Sequence, residues 1–167
     1  NAFTGGVEEP FVVLHQGVLS KLGPAEQDFI IGHEIGHIKF DHVLYQMIAR
    51  LLMMQGMLLT PNLVLSRILA QGMQLRILDW SRKAELSCDR AGLLACQDPN
   101  AALRVMLRFA GVPASRLDEL NIAAYLEQYE VLEDASSSRI GKLFSGLYES
   151  HPWIIERVKK LKEWVDS

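Results

Sequence analysis

This sequence contains few cysteines and has little net charge. The two cysteines, Cys88 and Cys96, are eight positions apart in a predicted helix, and a rise of about 1.5 Å per residue separates their Cα atoms by roughly 12 Å. A disulfide cannot span that distance, so a disulfide-stapled scaffold is excluded. A net charge of −3 and a pI near 6.0 provide no basic surface, so we expect no nucleic-acid partner.

Long apolar runs are absent too. A membrane-spanning helix needs about 20 consecutive apolar residues. The Leu- and Met-rich segment 43–79 is interrupted by polar residues such as Gln46, Arg50 and Gln55. Its apolar side chains recur every three or four residues, which predicts two amphipathic helices broken near 56–61. We interpret 43–79 as an amphipathic helical insert. Its Met-rich face either packs in the core or makes a peripheral contact with a membrane surface or a partner.

Strand signals are few, and most of the chain has helical periodicity. Only residues 11–15 have the β-branched and aromatic content of a strand. A chain of 167 residues is typical of one domain, and we predict a single α+β domain over 1–167, predominantly α-helical. Helices are predicted from about Pro24 to beyond His42, through 79–97, from Asp98 to Gly111, from Ser115 to about Glu130, and from Pro152 onward.

Three of the five histidines lie within ten positions, in "DFIIGHEIGHIKFDH". His33 and His37 are one helical turn apart, so both imidazoles can point at one ion. Glu34 lies about 100° further round the helix, where its carboxylate can act as a base on water that the metal activates. This H-E-x-x-H pattern is typical of zinc hydrolases. Two core histidines held by hydrogen bonds would produce the same pattern, so a third ligand is needed.

A hydrolytic zinc site requires a third protein ligand and one open position. His42 would lie about 140° from the ligand face of a continuous helix, which predicts a capping or core residue instead. A later helix offers Glu85 as the ligand. Asp89, one turn further on, can accept a ring N–H from His33 or His37. The alternative is a solvated acidic face that pairs with neighbouring Arg and Lys residues.

Together these motifs resemble the HtpX-like zinc metallopeptidases of gluzincin type, which are relatives of the CAAX prenyl proteases in metallopeptidase family forty-eight. The motifs are H-E-x-G-H with a further His five residues later, E-x-x-x-D on a later helix, "HP" with Arg six residues on, and "NAFTGG" before the strand. The resemblance extends from residue 1 to about 161. It implies a zincin-like metallopeptidase domain with a small sheet beside the active-site helix. This chain departs from the family in 43–79, where some members have membrane-spanning helices.

The resemblance implies a zinc-dependent endopeptidase that holds one zinc ion per chain and cleaves protein or peptide substrates. The edge near 2–13 could accept an extended peptide by strand addition. The implied residues are His33, His37 and Glu85 as metal ligands, Glu34 as general base, His151 and Arg157 as catalytic oxyanion donors, Asp89 beside the metal, and Asn1 and Ala2 as substrate-binding residues.

The sequence is also compatible with a different class of function, namely a catalytically weak zinc-binding module whose Met-rich helices bind a partner or a membrane surface. The sequence begins at Asn1 and shows no signal-peptide pattern. We therefore expect a soluble fragment truncated at its N-terminus, and the resemblance allows a membrane-associated full-length protein. The sequence specifies neither the compartment nor the natural substrate nor the oligomeric state.

Overall fold

The computed structural model describes residues 2–59, 63–127 and 150–167, with side chains for all of these except 53, 55–59, 63–71, 74–75 and 150–153. Most of the described residues are helical, and a two-stranded sheet accompanies the helices. The predicted α+β class is therefore confirmed. The elements are β1 (Ala2–Gly5), β2 (Phe11–Leu14), α1 (Gln16–Lys21), α2 (Pro24–Lys39), α3 (His42–Leu59), α4 (Leu63–Cys96), α5 (Pro99–Phe109) and α6 (Ser150–Val165).

The sheet lies beside α2, as the resemblance implied. Strand β1 pairs antiparallel with β2, with Ala2 opposite Leu14 and Gly5 opposite Phe11, and it also contacts α2. The prediction of β2 is confirmed, whereas β1 was missed because "NAFTGG" has the composition of a turn. The turn itself begins one residue after β1, where Gly6 adopts a positive φ of 80°.

Helix α2 begins where the sequence predicted and ends earlier. Pro24 occupies its first turn, and the Glu26 carboxylate accepts the Gly23 backbone N–H at 2.8 Å. The prediction of one helix beyond His42 is wrong, because α2 ends at Lys39 and α3 begins at His42. Asp41 lies between them at φ 54°, a left-handed conformation that interrupts a right-handed helix.

Helices α2 and α4 pack with almost no space between their backbones. A Cβ atom on Gly32 would lie 2.5 Å from Ala95 Cβ, and one on Gly92 would lie 2.6 Å from the Phe29 carbonyl oxygen. Gly36 lies between the two histidines, a position that predicts close approach of either backbone or substrate, and the backbone approach is observed, since a Cβ atom on Gly36 would lie 3.2 Å from Cys88 Cα. This approach brings the histidine face of α2 against the acidic residues of α4.

Helices α5 and α6 close the core against α2 and α4. The Asp98 carboxylate caps α5 by accepting the backbone N–H groups of Asn100 and Ala101 at 2.9 and 3.1 Å, and Gly111 follows the helix at φ 92°. The predicted helix from Asp98 to Gly111 is thus confirmed. The buried side chains that form this core include Phe29, Ile30, Leu93, Ala102, Leu103, Val105, Met106, Leu107, Val158 and Leu161.

The predicted helix start at Ser115 is wrong. A single 3-10 turn spans Ala114–Arg116, and residues 122–127 are helical, with Asn121 Oδ1 accepting the N–H three residues later at 3.1 Å. Ser115 with Asp118 three residues later resembles a capping box in sequence, but Asp118 pairs instead with Arg104 at 2.6 Å. The predicted end near Glu130 lies outside the described residues. So does "EDASSSRIG", whose small polar residues predict an exposed loop.

Residues 43–59 and 63–79 are helical, which agrees with the prediction of two helices in this segment. Helix α3 ends at Leu59 and α4 begins at Leu63, and the predicted break falls partly in 60–62, outside the described residues. Among the helices that the structure describes, we find none with the length and apolar character needed to cross a bilayer. Helix α4 then runs on through Glu85 and Asp89 to Cys96, and the thiols of Cys88 and Cys96 are both free.

Candidate metal centre

The facing sides of α2 and α4 bring His33, His37 and Glu85 together. His33 Nε2 lies 3.3 Å from His37 Nε2. Glu85 reaches both rings, with Oε2 3.5 Å from His33 Nε2 and Oε1 3.5 Å from His37 Nε2. One potential ligand atom from each residue lies within 4.8 Å of the other two. The two helices thus form a three-donor cluster from residues about fifty positions apart in the chain.

The cluster fits a zinc ion in both chemistry and spacing. Two imidazole nitrogens and one carboxylate oxygen form a ligand set known from hydrolytic zinc sites. Tetrahedral ligands about 2.0–2.1 Å from zinc are separated from one another by about 3.3–3.4 Å. The two Nε2 atoms are 3.3 Å apart, and a different Glu85 oxygen lies 3.5 Å from each of them. The side chains of His33, His37 and Glu85 remain 12, 13 and 31% exposed, so substrate and solvent can reach the cluster.

Asp89 holds His33 from behind the cluster. Its Oδ1 lies 3.0 Å from His33 Nδ1, and because a carboxylate only accepts, the ring must donate its Nδ1–H. That tautomer leaves the Nε2 lone pair free for an ion. Asp89 is only 1% exposed, which excludes the alternative of a solvated acidic face.

Arg157 reaches the same carboxylates from α6. Its Nε lies 2.7 Å from Asp89 Oδ2 and its Nη2 lies 2.6 Å from Asp89 Oδ1, while Nη1 lies 2.9 Å from Glu85 Oε2. Burial acts to raise the pKa of the Asp89 carboxyl, but the hydrogen bonds from Arg157 and His33 keep that pKa below its ordinary value. The structure therefore directs all three guanidinium nitrogens at carboxylates, a placement the sequence did not reveal.

The carboxylates also determine where the protein holds protons when no ion is bound. Burial acts to lower the pKa of His33, but hydrogen bonds to Asp89 and Glu85 outweigh it and raise that pKa to about 9. Burial lowers the pKa of His37, which has a weaker compensating contact with Glu85. The ion-free cluster consequently keeps its proton on His33, and an incoming metal ion must displace it.

Glu34 extends toward β1 instead of into the three-donor cluster. Thr4 Oγ1 lies 2.6 Å from Glu34 Oε2 and 2.9 Å from the Glu34 main-chain oxygen. Glu34 is 9% exposed, so this hydroxyl is a principal polar contact of a largely buried carboxylate. Sequence reasoning missed Thr4. Because residues 2–5 have the composition of a turn, the strand period that places Thr4 on the same face as Ala2 could not be applied before β1 was known.

Two cavities flank the cluster and meet at Ala2. One has a volume of about 120 Å³ and is mainly apolar, with Phe29, Ile30, Met106, Phe109 and Ile154 in its wall beside Ala2, His33, Glu34 and Arg157. The other has a volume of about 310 Å³ and is lined by Ala2, Phe3, Thr4, His33, Glu34, His37, Val43, Gln46 and Glu85. Ala2 thus lies at the cleft to which it was assigned.

The remaining residues of the predicted site are only partly described. Asn1 lies outside the described residues, and His151 belongs to the first turn of α6 with its side chain outside the described part. His42, predicted as a capping or core residue, is 6% exposed and begins α3. Its Nδ1 lies 3.2 Å from His37 Nδ1, a contact with a residue of the three-donor cluster that the sequence did not predict.

Comparison with known proteins agrees with this geometry. The family model described as Peptidase family M48 matches residues 1–165. The chain is 35% identical over 172 aligned positions to the plastoglobule-localized metallopeptidase 48, chloroplastic, of Arabidopsis thaliana. That alignment covers 100% of this chain and 49% of the relative, so the chain spans about half the length of the curated relative it matches. No solved structure matches it significantly. On the extent of the family match, the chain belongs to peptidase family M48.

Proposed function

We propose that this chain is a zinc-dependent endopeptidase domain that hydrolyses peptide bonds in protein or peptide substrates. The observation that carries the proposal is the cluster of His33, His37 and Glu85, whose donor atoms lie within 4.8 Å of one another beside the Glu34 carboxylate. Membership of a peptidase family supports the general kind of function.

His33, His37 and Glu85 would hold one zinc ion per chain. Zinc bound by these residues supplies Lewis acidity, which polarises a substrate carbonyl and lowers the pKa of water. The protein's own contribution is to hold both Nε2 atoms and the Glu85 carboxylate at the required separation. Asp89 contributes by keeping His33 in the tautomer with a free Nε2 lone pair.

Glu34 would act as the general base. It follows His33 directly on α2 and lines both cavities. The Thr4 hydroxyl donates to Oε2 at 2.6 Å, so Oε1 is the oxygen left to take a proton from water and deliver it to the leaving nitrogen. A carboxylate held at one oxygen loses little entropy when the other reacts, which favours proton transfer.

Arg157 would act as a positioning residue. Its three nitrogens contact Glu85 and Asp89. These contacts support a role in fixing the two carboxylates, instead of the oxyanion role that the resemblance implied. His151, six residues earlier on α6, stays our proposed oxyanion donor, since an imidazole N–H can stabilise a developing oxyanion.

An extended peptide would bind along β1. Strand β2 occupies one edge of β1, and Ala2 and Thr4 on β1 line the larger cavity beside the cluster. A peptide added to the other edge would gain main-chain hydrogen bonds with little demand on its side chains. The apolar wall of the smaller cavity would accept an aliphatic or aromatic side chain next to the scissile bond.

Glu34→Gln provides the decisive test of the proposed function. Because Glu34 lies outside the three-donor cluster, the variant should bind about one zinc ion per chain with the wild-type affinity and should fail to cleave casein. Wild-type activity should disappear with a chelator and return with added zinc. Undiminished casein cleavage by Glu34→Gln would refute the general-base assignment. Wild-type cleavage that persists with a chelator would refute the requirement for a metal ion.

The exposed apolar face of α3 supports a second candidate function, the membrane or partner contact predicted for 43–79. Its described members are Tyr45, Met47, Ile48, Leu51, Leu52 and Met54, each at least 40% exposed. Cosedimentation with anionic lipid vesicles should decrease for the double variant Leu51→Gln, Met54→Gln. Leu94→Gln is the matched control, because Leu94 is 63% exposed on α4. Equal sedimentation of the wild type, the double variant and Leu94→Gln would exclude binding of this face to a membrane surface.

A further inference from the structure

His42 lies against the side of His37 that faces away from the three-donor cluster. The two Nδ1 atoms are 3.2 Å apart, and the rings meet edge to face with centroids 5.1 Å apart at 74°. On a continuous helix His42 would point elsewhere. The break at Asp41 starts a new helix at His42 and directs its ring back toward α2.

Proton accounting assigns a donor and an acceptor to this contact. Two nitrogens 3.2 Å apart attract one another only when one carries a proton and the other a lone pair. A neutral imidazole has one N–H. His37 Nε2 needs its lone pair in the cluster with His33 and Glu85, so the His37 proton lies on Nδ1. His42 must then accept at Nδ1 and carry its own proton on Nε2.

We propose that His42 is the positioning residue of the second ligand, accepting the Nδ1–H of His37 and thereby keeping the His37 Nε2 lone pair directed at the metal. The inference rests on the proposed function insofar as it requires an ion on His37 Nε2. His42 thus does for His37 what Asp89 does for His33. Metal-binding histidines ordinarily have such an acceptor on the remaining ring nitrogen.

Residues of α4 keep the His42 ring in place. Trp80 packs against it edge to face at 88°, with centroids 5.5 Å apart. Cys88 Sγ packs 3.4 Å from His42 Nδ1, whose single lone pair is taken by the His37 Nδ1–H. His42 is 6% exposed, so water cannot easily replace it as the acceptor. Its position is therefore determined by packing between α3 and α4.

The same atoms could be thought to hold a second ion, since His37, His42 and Cys88 also lie within ligand distance of one another. That arrangement would require His37 to give up both ring protons while bridging two cations. It would also require ionisation of the Cys88 thiol, which is 0% exposed. A hydrogen bond requires neither, so the geometry favours a single ion with His42 behind it.

Zinc affinity, measured by competition with a chromophoric chelator, tests the inference without reliance on catalysis. His42→Leu removes the acceptor at similar size and should weaken zinc binding by about 10- to 100-fold. His42→Asn places an amide oxygen near the original Nδ1 position and should restore most of the affinity. Wild-type affinity in His42→Leu, or equal losses in both variants, would overturn the proposal.

The ring ¹⁵N chemical shifts of the wild-type chain loaded with zinc give a second test that does not depend on any variant folding. We expect His37 as the Nδ1–H tautomer and His42 as the Nε2–H tautomer. A proton on His42 Nδ1, or two zinc ions per chain, would overturn the proposal. Failure of the wild type to bind zinc would overturn the proposed function as well, whereas normal zinc binding insensitive to His42→Leu would overturn this inference alone.

Discussion

Arg157 and Asp89 form a two-point ion pair in the interior, with Nε–Oδ2 and Nη2–Oδ1 distances of 2.7 and 2.6 Å. The pair connects α6 to α4, and Arg157 Nη1 extends the contact to Glu85 at 2.9 Å. A charge pair of this kind contributes most through the cost of breaking it, because the remaining partner stays buried without its counter-charge. Stability and metal-site geometry are therefore coupled at Asp89.

The first prediction concerns the stability of this pair. Arg157→Met should lower the free energy of unfolding by about 3 kcal/mol, because it removes both guanidinium hydrogen bonds from the buried Asp89 carboxylate and leaves it only the contact with His33. Chemical unfolding of the zinc-free chain, followed by circular dichroism, measures the change. Lys160→Met is the control on the same helix: its 45% exposed side chain pairs with Glu163, and the change should stay below about 1 kcal/mol. Similar losses for both variants would contradict the prediction.

The second prediction concerns the hydroxyl that holds Glu34. Thr4→Val keeps the shape of the side chain and removes the 2.6 Å contact with Glu34 Oε2. If that contact contributes about 1.4 kcal/mol to transition-state stabilisation, kcat should fall about tenfold, with KM and zinc content nearly unchanged. Thr4→Ser retains the hydroxyl and should retain kcat. A wild-type kcat in Thr4→Val would show that Glu34 is aligned without it.

The third prediction concerns the close approach of α2 and α4. In Gly32→Ala, the new methyl would lie 2.5 Å from Ala95 Cβ, so the helices must separate, at a cost of about 1–3 kcal/mol in stability. The separation should also weaken zinc binding. Gly72→Ala is the control: apart from its own helix backbone, no atom of the described residues lies within 4 Å of its Cβ position, and alanine should stabilise α4 by about 0.5–1 kcal/mol. Thermal unfolding measures both changes. Equal changes in Tm, or a higher Tm for Gly32→Ala than for Gly72→Ala, would refute the packing argument.

The fourth prediction links zinc to stability. Zinc at about 1,000 times its dissociation constant should stabilise the folded chain by about 4 kcal/mol, which corresponds to roughly 8–16 °C in Tm for a domain of this size. Thermal unfolding with and without a chelator measures this difference. Glu34→Gln should show the full shift, whereas Glu85→Gln should lose most of it because Glu85 lies within 3.5 Å of both histidine Nε2 atoms. A full zinc shift in Glu85→Gln would remove Glu85 from the ligand set.

Much of the site could be predicted because its parts are local in sequence. One helical turn separates His33 from His37, and another separates Glu85 from Asp89, so each pair shares a helix face wherever the helix packs. Capping residues such as Asp98 act within their own helix for the same reason. By contrast, the break at Asp41 depends on one backbone conformation, φ 54°, which leaves no mark on the apolar periodicity. The prediction for His42 was incomplete because it assumed an unbroken helix.

Strand β1 and the contact of Thr4 could not be predicted from sequence either, because both depend on elements distant in the chain. Four residues rich in small side chains form a strand only because β2 pairs with them and α2 packs beside them. Neither partner can be recognised from residues 2–5 alone. The contact between Thr4 and Glu34, thirty positions apart, follows from that packing, so sequence reasoning had no local signal that would aim the hydroxyl.

What the sequence determined by itself was the chemistry available and the face of each helix that carries it, since both follow from residue type and helical period. The tertiary structure decided which faces meet. It turned Arg157 toward Glu85 and Asp89, placed His42 behind His37, and set Thr4 on Glu34. These are contacts between elements distant in the chain, and their geometry depends on how closely backbones pack. Here the glycines of α2 and α4 make that packing close.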